Sequence, residues 1–330
     1  MAVPKPAVSQ PKVNTAADRK TQPAFNPPWR TLFDGKTLKG WTQIGGKATY
    51  TVRNGSIVGT TVPGTPNSFL ITEKRYADFV LELEFRADTS LNSGIQIRSN
   101  HFPAYKNDVF HGYQIEIDPS PRAWSGGIYD ESRRGWLFKL EGRQQAQKAY
   151  RKNGWNHYRI EAIGDRIRTW VNGVPVADLT DGLTRCGYIG LQVHDIGQDA
   201  AKTGRYIEWR NIRLRDLGGV CWTVSEETPE HPVSALFDGN RDRGWQGDWI
   251  TLDFQKNDRL ESILLQLPES VSPHLQIAIA PEQAPDAWTV VFEGPLPPKK
   301  GGNLIALNGK RARYLRVSGK SMAIGEIKVE

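Results

Sequence analysis

The most regular hydrophobic pattern in the chain is a strict alternation at residues 113–118. Apolar Tyr113, Ile115 and Ile117 alternate there with an amide and two carboxylates. Successive side chains of a strand leave opposite faces of a sheet, so this period of two predicts a half-buried strand. A face that only meets solvent usually carries Lys, Thr and Ser. The segment therefore predicts a functional surface, formed by Gln114, Glu116 and Asp118.

Short segments with the same period recur along the chain and predict an all-β protein. Turn residues separate them, among them Asn54-Gly55, Gly164-Asp165 and Asn172-Gly173, and such pairs favour tight hairpins. Long helical periodicity is absent, so the many short strands indicate a β-sandwich or jelly roll. The predicted strands are 49–52, 57–61, 79–86, 94–98, 113–118, 157–163, 167–171, 187–194 and 207–214, followed by 249–254, 262–267, 275–280, 288–293, 312–318 and 324–329.

The chain divides into three stretches of different character. Residues 1–28 are rich in Pro, Ala, Lys and Gln and cannot bury enough apolar surface to fold, so they predict a disordered leader. The run at 215–219, Arg-Asp-Leu-Gly-Gly, predicts a joint between two domains. We therefore expect a first β domain at 29–217 and a second, compact β-sandwich at 218–330.

Composition narrows the classes of protein that fit. The 330-residue chain is 38% hydrophobic with a mean hydropathy of −0.52. It has no apolar run long enough for a transmembrane helix. The net charge of +7 is spread along the chain, which favours solubility over nucleic-acid binding. The 11 Trp suit the C–H faces of sugars, although most Trp in a β protein belong to the core.

Cellular location and cysteine state are less constrained. No signal-peptide core is present, so the protein is either cytoplasmic or preceded by a signal that has been removed. The Pro-rich leader before a Trp-rich β domain favours the second alternative, a periplasmic or secreted protein. Cys186 and Cys221 could form one disulfide or remain two buried thiols, and the thiols are slightly favoured.

Seven strings of the first domain occur together in the order of a known family. As a set they resemble the 3-keto-disaccharide hydrolase family over about residues 29–217. The resemblance implies a concanavalin-like jelly roll in a secreted or periplasmic bacterial protein. It also implies an enzyme acting on glycosides whose sugar carries a 3-ketone, by net hydrolysis or by β-elimination as a lyase. The strings are LFDGKTLKGW at 32–41, YADFVL at 76–81, NSGIQIR at 92–98, GYQIEID at 112–118, VNG at 171–173, GLQVH at 190–194 and RNI at 210–212.

Strand parity predicts further polar side chains beside the alternating strand. Gln96 and Arg98 should share one face of their strand, and Gln192 and His194 one face of theirs. In a jelly roll these strands can lie side by side and form a concave polar sheet suited to sugar hydroxyls. The alternative is that they form only the solvated side of an antiparallel sheet. The expected substrate-binding residues are Gln96, Gln114, Tyr129, Asp130, Trp136 and Gln192.

A 3-ketone changes the chemistry that the site must supply. The proton on C2 becomes acidic because its loss gives an enolate, the substituent on C1 can then leave, and water can add. This route needs a base near C2, a positive group at the ketone oxygen and an acid at the leaving oxygen. Glu116 is the first candidate for the base and Asp118 the second. The other candidates are Arg98 or Lys139 for the enolate, and His111 or His194 for the leaving group.

Two other functions and a metal site remain open. A retaining glycosidase of the laminarinase-like group uses Glu-x-Asp-x-x-Glu, but Pro121 stands at the position of the second Glu. A lectin-like protein would bind a glycan without chemistry. No His or Cys spacing predicts zinc, and no cofactor is certain. A divalent cation held by His111, Glu116 and His194 stays possible, and the oligomeric state is left open.

The second domain has its own set of matching strings. ALFDGN at 235–240, WITLDF at 249–254, ARYLRV at 312–317 and IGEIKV at 324–329 resemble a discoidin-type, galactose-binding-like module. The resemblance implies glycan binding and a structural Ca²⁺ near Asp238 and Glu326. Arg243 stands where a Thr ligand is common, and its positive charge disfavours Ca²⁺. We therefore expect an accessory module that is metal-free or binds metal weakly, packs on the first domain, and holds Trp245 and Trp288 in its core.

Overall fold

The structure is a computed structural model that describes residues 27–330 except 104, 227, 229, 232, 238–243, 269–271 and 282–287. Strands make up nearly all of its regular structure. In chain order they are β1 (Arg30–Thr31), β2 (Trp41–Gly45), β3 (Thr49–Arg53), β4 (Ser56–Thr60), β5 (Ser68–Thr72), β6 (Asp78–Ala87), β7 (Ser93–Asn100), β8 (His111–Ile117), β9 (Ile128–Glu131), β10 (Gly135–Phe138), β11 (Asn156–Ile163), β12 (Arg166–Val171), β13 (Val174–Thr180), β14 (Tyr188–Val193), β15 (Tyr206–Gly218), β16 (Cys221–Val224), β17 (Trp245–Gln266), β18 (His274–Ala280), β19 (Thr289–Pro295), β20 (Asn303–Ile324) and β21 (Glu326–Val329). The helical elements described are α1 (Gln144–Gln147) and a 3-10 helix (Val233–Phe237), neither long nor apolar enough to cross a membrane.

The first part of the chain forms two antiparallel sheets. One has eight strands in the order β13-β12-β11-β6-β15-β4-β3, with β1 beside β15. The other has seven strands in the order β10-β9-β8-β7-β14-β5-β2. Hairpins such as β11–β12–β13 and β7–β8–β9–β10 are combined with long crossovers, one of which places β14 between β7 and β5. This arrangement confirms the predicted jelly-roll sandwich.

The core between these sheets is filled by every second residue of the strands. Tyr113 and Ile115 of β8 and Ile95 of β7 are fully buried there, together with Leu81 and Trp209 of the opposite sheet. Because side chains alternate along a strand, the amides and carboxylates of β7, β8 and β14 are left on the other side of the seven-stranded sheet. We call this side the polar face; it carries Gln96, Gln114, Glu116 and Gln192.

The last part of the chain forms a third, six-stranded sheet in the order β16-β17-β20-β18-β19, with β21 beside β17. β17 and β20 are each 22 residues long, and their pairing contains register shifts. Residues from both halves of each strand belong to one apolar core. Trp245 is fully buried in that core, as expected. The expectation for Trp288 is wrong: it is half-buried before β19, where its ring lies 4.4 Å from the Arg316 guanidinium.

A disulfide joins the first and last parts of the chain. Cys186, just before β14, and Cys221, the first residue of β16, form it with their Cα atoms 5.2 Å apart. The slight preference for two thiols is therefore wrong. Beside the disulfide, Arg75 of the first part donates a hydrogen bond to the Trp222 carbonyl. The residues directly after the predicted joint at 215–219 therefore contact the first part of the chain.

Of the residues expected near a Ca²⁺ in the last part of the chain, the structure describes Glu326. Asp238 and Arg243 lie outside the described residues, as does the predicted leader before residue 27. Glu326 is buried, and its carboxylate is 2.9 Å from the Lys328 ammonium. The partner described for Glu326 is thus a lysine.

Candidate functional site

Three neighbouring strands bring the predicted polar residues together. β8 pairs with β7 on one side, where Gln114 lies opposite Gln96 and Glu116 opposite Gly94. β9 pairs on the other side, where Tyr129 lies opposite Gln114. Because paired residues share a face, the polar face forms a continuous patch across these strands.

Glu116 is a buried carboxylate held by three hydrogen-bond donors. Only 3% of the residue is exposed. Asn92 Nδ2 donates to Oε1 at 2.6 Å, and Arg122 Nη2 donates to the same oxygen at 3.2 Å. Gln114 Nε2 donates to Oε2 at 3.0 Å. Both carboxylate oxygens are thus bound by donors before any ligand arrives.

A chain of amides orients the Gln114 donor. Gln96 Nε2 donates to Gln114 Oε1 at 2.8 Å, and Ser99 Oγ donates to Gln96 Oε1 at 2.7 Å. Gly94 leaves the room that this chain needs, since a Cβ there would lie 2.3 Å from Gln114 Cγ. We call the sequence Ser99–Gln96–Gln114–Glu116 the amide relay. It ends in a hydroxyl, which can reverse its role from donor to acceptor.

Burial gives Glu116 the protonation behaviour of a general base. It raises the pKa of the carboxyl to about 7, although hydrogen bonds from Asn92 and Gln114 and the charge of Arg122 act in the opposite direction. A base with a pKa near the operating pH is the most effective in proton transfer. Glu116 can therefore accept and release a proton at neutral pH.

Asp118 has a different task from Glu116. Its carboxylate accepts hydrogen bonds from the backbone of Ser120 at 3.1 Å, from the backbone of Trp124 at 3.1 Å and from Arg122 Nε at 2.7 Å. Burial alone would raise the pKa of Asp118, but these donors outweigh it and the pKa is lowered. Asp118 therefore stays ionised, closes the loop after β8 and holds Arg122 beside Glu116.

Arg122 lies where two aromatic rings meet. Its guanidinium is 4.8 Å from the ring centroid of Trp124 and 4.9 Å from that of Trp136, and these two rings are 4.7 Å apart. The Tyr129 ring is 5.3 Å from Trp136. Cation–π contacts of this kind hold a charged side chain without removing its hydrogen-bonding capacity. Arg122 thus presents a positive charge beside an aromatic wall.

One pocket opens beside these groups. Asn92, Asp118 and Arg122 line it from the side of Glu116, and His194 and Lys202 line it from the loops after β14. His194 lies one residue beyond β14 and is half-buried. The structure therefore brings the predicted His194 to the pocket next to Glu116.

The other expected substrate-binding residues divide by parity. Tyr129 and Trp136 were expected on a loop, but they lie on the strands β9 and β10, pair with each other and are on the polar face. Gln192 also lies there, fully buried, with its amide beside the Glu131 carboxylate. Asp130 has the opposite parity: it pairs with core residue Tyr113 and binds Arg134 at 2.5 Å. The prediction of Asp130 as a substrate contact is not supported by its position.

Arg98 is the clearest departure from the predicted face. It has a φ of 47°, which breaks the alternation of β7 after Gln96. Its side chain is fully buried elsewhere and donates to the Ala77 carbonyl at 2.7 Å and to Asp78 Oδ1 at 2.8 Å. The expectation that Arg98 shares a face with Gln96 is wrong, because this bulge turns the guanidinium away from Glu116.

His111 and Lys139 are also separated from Glu116. His111 lies at the start of β8, on the side of Tyr113, and its ring is 3.9 Å from that of Tyr105. Burial lowers the pKa of His111 to about 4. Lys139 is exposed beyond the edge strand β10. The predicted cation site of His111, Glu116 and His194 is not assembled, and no group of three metal-binding side chains occurs within the described residues.

Three residues of this region are missing from the sequence-based prediction. Asn92 and Arg122 lie in loops, and nothing in the local pattern marks them as partners of Glu116. Glu131 has the same parity as Tyr129 on β9 and therefore lies on the polar face. A strand predicted at 128–131 would have pointed to Glu131 and not to Asp130.

Comparisons with known proteins agree with this architecture. The model of a family described as 3-keto-alpha-glucoside-1,2-lyase-like domain matches residues 28–215. No curated protein matches the chain significantly.

Solved structures match each part of the chain. A candidate glycosyl hydrolase from Parabacteroides distasonis ATCC 8503 is 23% identical, with 58% of this chain and 100% of that chain covered and a TM-score of 0.42. The carbohydrate binding module CBM66 from Bacillus subtilis is 17% identical, with 54% and 96% covered and a TM-score of 0.38. CpGH89CBM32-6 of Clostridium perfringens is 22% identical, with 34% and 92% covered and a TM-score of 0.29. These values are too low to carry an argument about function.

Proposed function

The chain belongs to the 3-keto-alpha-glucoside-1,2-lyase-like family over residues 28–215, and from this premise we propose that it cleaves glycosides whose sugar carries a 3-ketone. One observation carries the proposal: a buried carboxylate, Glu116, has its pKa raised to about 7 beside the guanidinium of Arg122. A base and a cation in contact are what enolate formation next to a ketone requires.

The first step is removal of the proton on C2. Glu116 takes that proton, and the electron pair of the C–H bond moves to form an enolate on the 3-keto oxygen. The hydrogen bonds from Asn92 at 2.6 Å and Gln114 at 3.0 Å hold the carboxylate in place while it acts. Pre-positioning of this kind lowers the barrier by removing the need to orient the base during the reaction.

Arg122 stabilises the enolate oxygen in this scheme. Its side chain is 40% exposed, so it can leave Glu116 Oε1 and turn towards a ketone oxygen in the pocket. That movement would free Oε1 for the C2 proton at the moment when the positive charge meets the developing negative charge. Arg122 thereby replaces Arg98 and Lys139 in the role predicted from sequence.

The second step expels the group on C1. The enolate collapses to a double bond between C1 and C2, the C1–O bond breaks, and the leaving oxygen receives a proton. His194 is the candidate acid, because it lines the same pocket as Arg122. Release at this stage gives a lyase product, and addition of water gives net hydrolysis. The aromatic wall of Trp124, Trp136 and Tyr129 would contact the apolar faces of the sugar.

The rest of the chain fits an accessory role outside the cytoplasm. We propose that residues 29–217 form the catalytic domain and that 218–330 form a glycan-binding module fastened to it through Cys186 and Cys221. Disulfides persist in oxidising compartments, which supports a periplasmic or secreted location.

The test compares a 3-keto-glucoside with its unoxidised parent, in both anomeric forms. Wild-type protein should release the aglycone from the keto compound alone, and should exchange its C2 proton for deuterium in D₂O. Glu116→Gln should lose both activities. Glu84→Gln is the matched control, because Glu84 lies on the opposite sheet and binds Arg210 at 2.7 Å. Turnover of the parent would mean an ordinary glycosidase, and binding without turnover would mean a lectin-like protein; either result refutes the proposal.

A further inference from the structure

A second carboxylate lies on the polar face and is not used by the chemistry described so far. Glu131 ends β9 opposite Gly112 of β8, on the same face as Tyr129. The residue spacing places it about 13 Å along the sheet from Glu116, four residues at ~3.3 Å each. Glu131 is thus too far away to act together with Glu116 on one carbon atom. Any role of Glu131 must therefore come from the residues around it.

Asn67 links Glu131 to the turn that carries His194. Asn67 Nδ2 donates to Glu131 Oε1 at 3.3 Å, and the backbone N–H of Asp195 donates to Asn67 Oδ1 at 2.8 Å. One amide therefore fixes the end of β9 and the turn after β14 relative to each other. The bridge thus connects the Glu131 carboxylate to the backbone next to His194.

The backbone also fixes which nitrogen of His194 exchanges a proton. His194 Nδ1 lies 2.6 Å from the Asp195 carbonyl oxygen, which can only accept, so Nδ1 carries a hydrogen. Nε2 is left to hold or release the second proton. The imidazole lies in the pocket that Asn92 and Arg122 line, where the leaving group must be protonated.

Glu131 and His194 are close enough for their charges to interact. Burial raises the pKa of the Glu131 carboxyl, and the imidazole of His194 acts in the opposite direction, as do hydrogen bonds from Asn67 and Ser132. The neighbouring Gln192 amide is fully buried and lies beside the same carboxylate. The other charged groups that face His194 are Asp118, Arg122, Asp195 and Lys202.

We propose that Glu131 is a positioning residue for His194: its carboxylate and Asn67 hold the imidazole so that Nε2–H gives its proton to the leaving oxygen. The inference rests on the proposed function. Glu116 takes the C2 proton and the C–H electron pair forms the enolate. The enolate then restores the ketone and forms the C1–C2 double bond, the C1–O electron pair stays on the leaving oxygen, and that oxygen takes the His194 proton. Exchange with water then returns a proton to His194 and removes the one on Glu116.

Leaving-group dependence tests this role. A methyl 3-keto-glucoside needs an acid for its poor leaving group, whereas a 4-nitrophenyl 3-keto-glucoside does not. Glu131→Gln should lower kcat on the methyl compound by about 30-fold or more and keep kcat on the nitrophenyl compound within about threefold, since general acids contribute roughly 10²- to 10⁴-fold. Deuterium exchange at C2 should be unchanged.

His194→Gln should give the same selectivity, and the double variant should be no slower than the slower single variant, because the two residues act as a unit. If Glu131→Gln does not fold, Asn67→Ala, which removes the bridge between Glu131 and the Asp195 backbone, should show the same selectivity for the methyl compound. Glu84→Gln serves again as the matched control. Equal losses on both substrates, or no loss on the methyl compound, would overturn the inference while leaving the proposed function intact. A wild-type protein that neither cleaves these compounds nor exchanges the C2 proton would overturn the proposed function, and this inference with it.

Discussion

Glu116→Gln should abolish most turnover and at the same time stabilise the folded protein above neutral pH. Both effects have one cause, the burial that raises the pKa of the carboxyl from its ordinary value of 4.5 to about 7. A carboxyl whose pKa is higher in the folded than in the unfolded chain favours folding while it is protonated. The free energy of unfolding therefore falls as the pH rises from about 4.5 to about 7.

The size of this loss follows from the two pKa values. A difference between 4.5 and about 7 corresponds to about 3 kcal/mol, at 1.36 kcal/mol per unit. Glutamine carries no charge at any pH, so the variant should not suffer this loss. Wild type and variant should be similar in stability near pH 4, and the variant should be more stable by up to about 3 kcal/mol at pH 8.

The surroundings of Glu116 can accept the amide. Its Oε1 can still receive the hydrogen bonds of Asn92 and Arg122. The new NH₂ group faces the Gln114 donor, but the amide relay can reverse by turning both glutamine amides. Ser99 Oγ would then accept from Gln96 and donate to the Ile97 carbonyl, which is 3.1 Å away. No buried donor is left without a partner.

The assay is denaturant unfolding of both proteins at several pH values, with kcat measured on a 3-keto-glucoside. The difference in unfolding free energy should grow between about pH 4.5 and 7 and then stay constant, while kcat falls by about 10²- to 10⁴-fold, the usual contribution of a general base. A difference that does not depend on pH, or a variant that is less stable at pH 8, would refute the buried, raised-pKa carboxyl. A kcat within tenfold of wild type would refute its role as the base.

Three further predictions concern other parts of the structure. Arg122→Gln should lower kcat/KM by about 10²-fold with little change in stability. Arg98→Gln should cost about 3 kcal/mol of stability and leave kcat of the folded fraction unchanged. The reverse pattern would mean that Arg98 and not Arg122 serves the reaction. Gly94→Ala should lower kcat, because the new Cβ would lie 2.3 Å from Gln114 Cγ, and wild-type kcat would mean that the relay is not needed. Replacing Cys186 and Cys221 by Ser removes a link across 35 residues and should cost about 3 to 4 kcal/mol in unfolding experiments, with kcat unchanged if the last domain is accessory.

Local pattern alone determined the all-β fold class and the central carboxylate. The alternation at 113–118 identifies which side chains of β8 face the apolar core, because any one-residue slip would place Ile115 among the polar side chains and Glu116 in the apolar core. The same rule applied to β9 identifies Tyr129 and Glu131 as a pair on one face. Such assignments need only the geometry of a strand, which depends on neighbouring residues in the chain.

Tertiary structure decided the partners of that carboxylate. Arg98 has the parity of Gln96 in the sequence, but the carbonyls and the carboxylate around Ala77 and Asp78 hold it in a bulge with a φ of 47°. Arg122 reaches Glu116 because Asp118 closes its loop. The local sequence around these residues does not predict that they make these contacts.

The cysteines illustrate the same limit over a longer distance. Cys186 and Cys221 meet because β15 lies between them and ends at Gly218, which returns the chain to the entrance of β14. The residues around Cys186 and Cys221 do not specify where the 13-residue strand β15 ends relative to β14 in the other sheet. Strand parity is set by adjacent residues, whereas bulges, loop closure and strand order depend on energies summed over distant contacts, and only the folded chain fixes them.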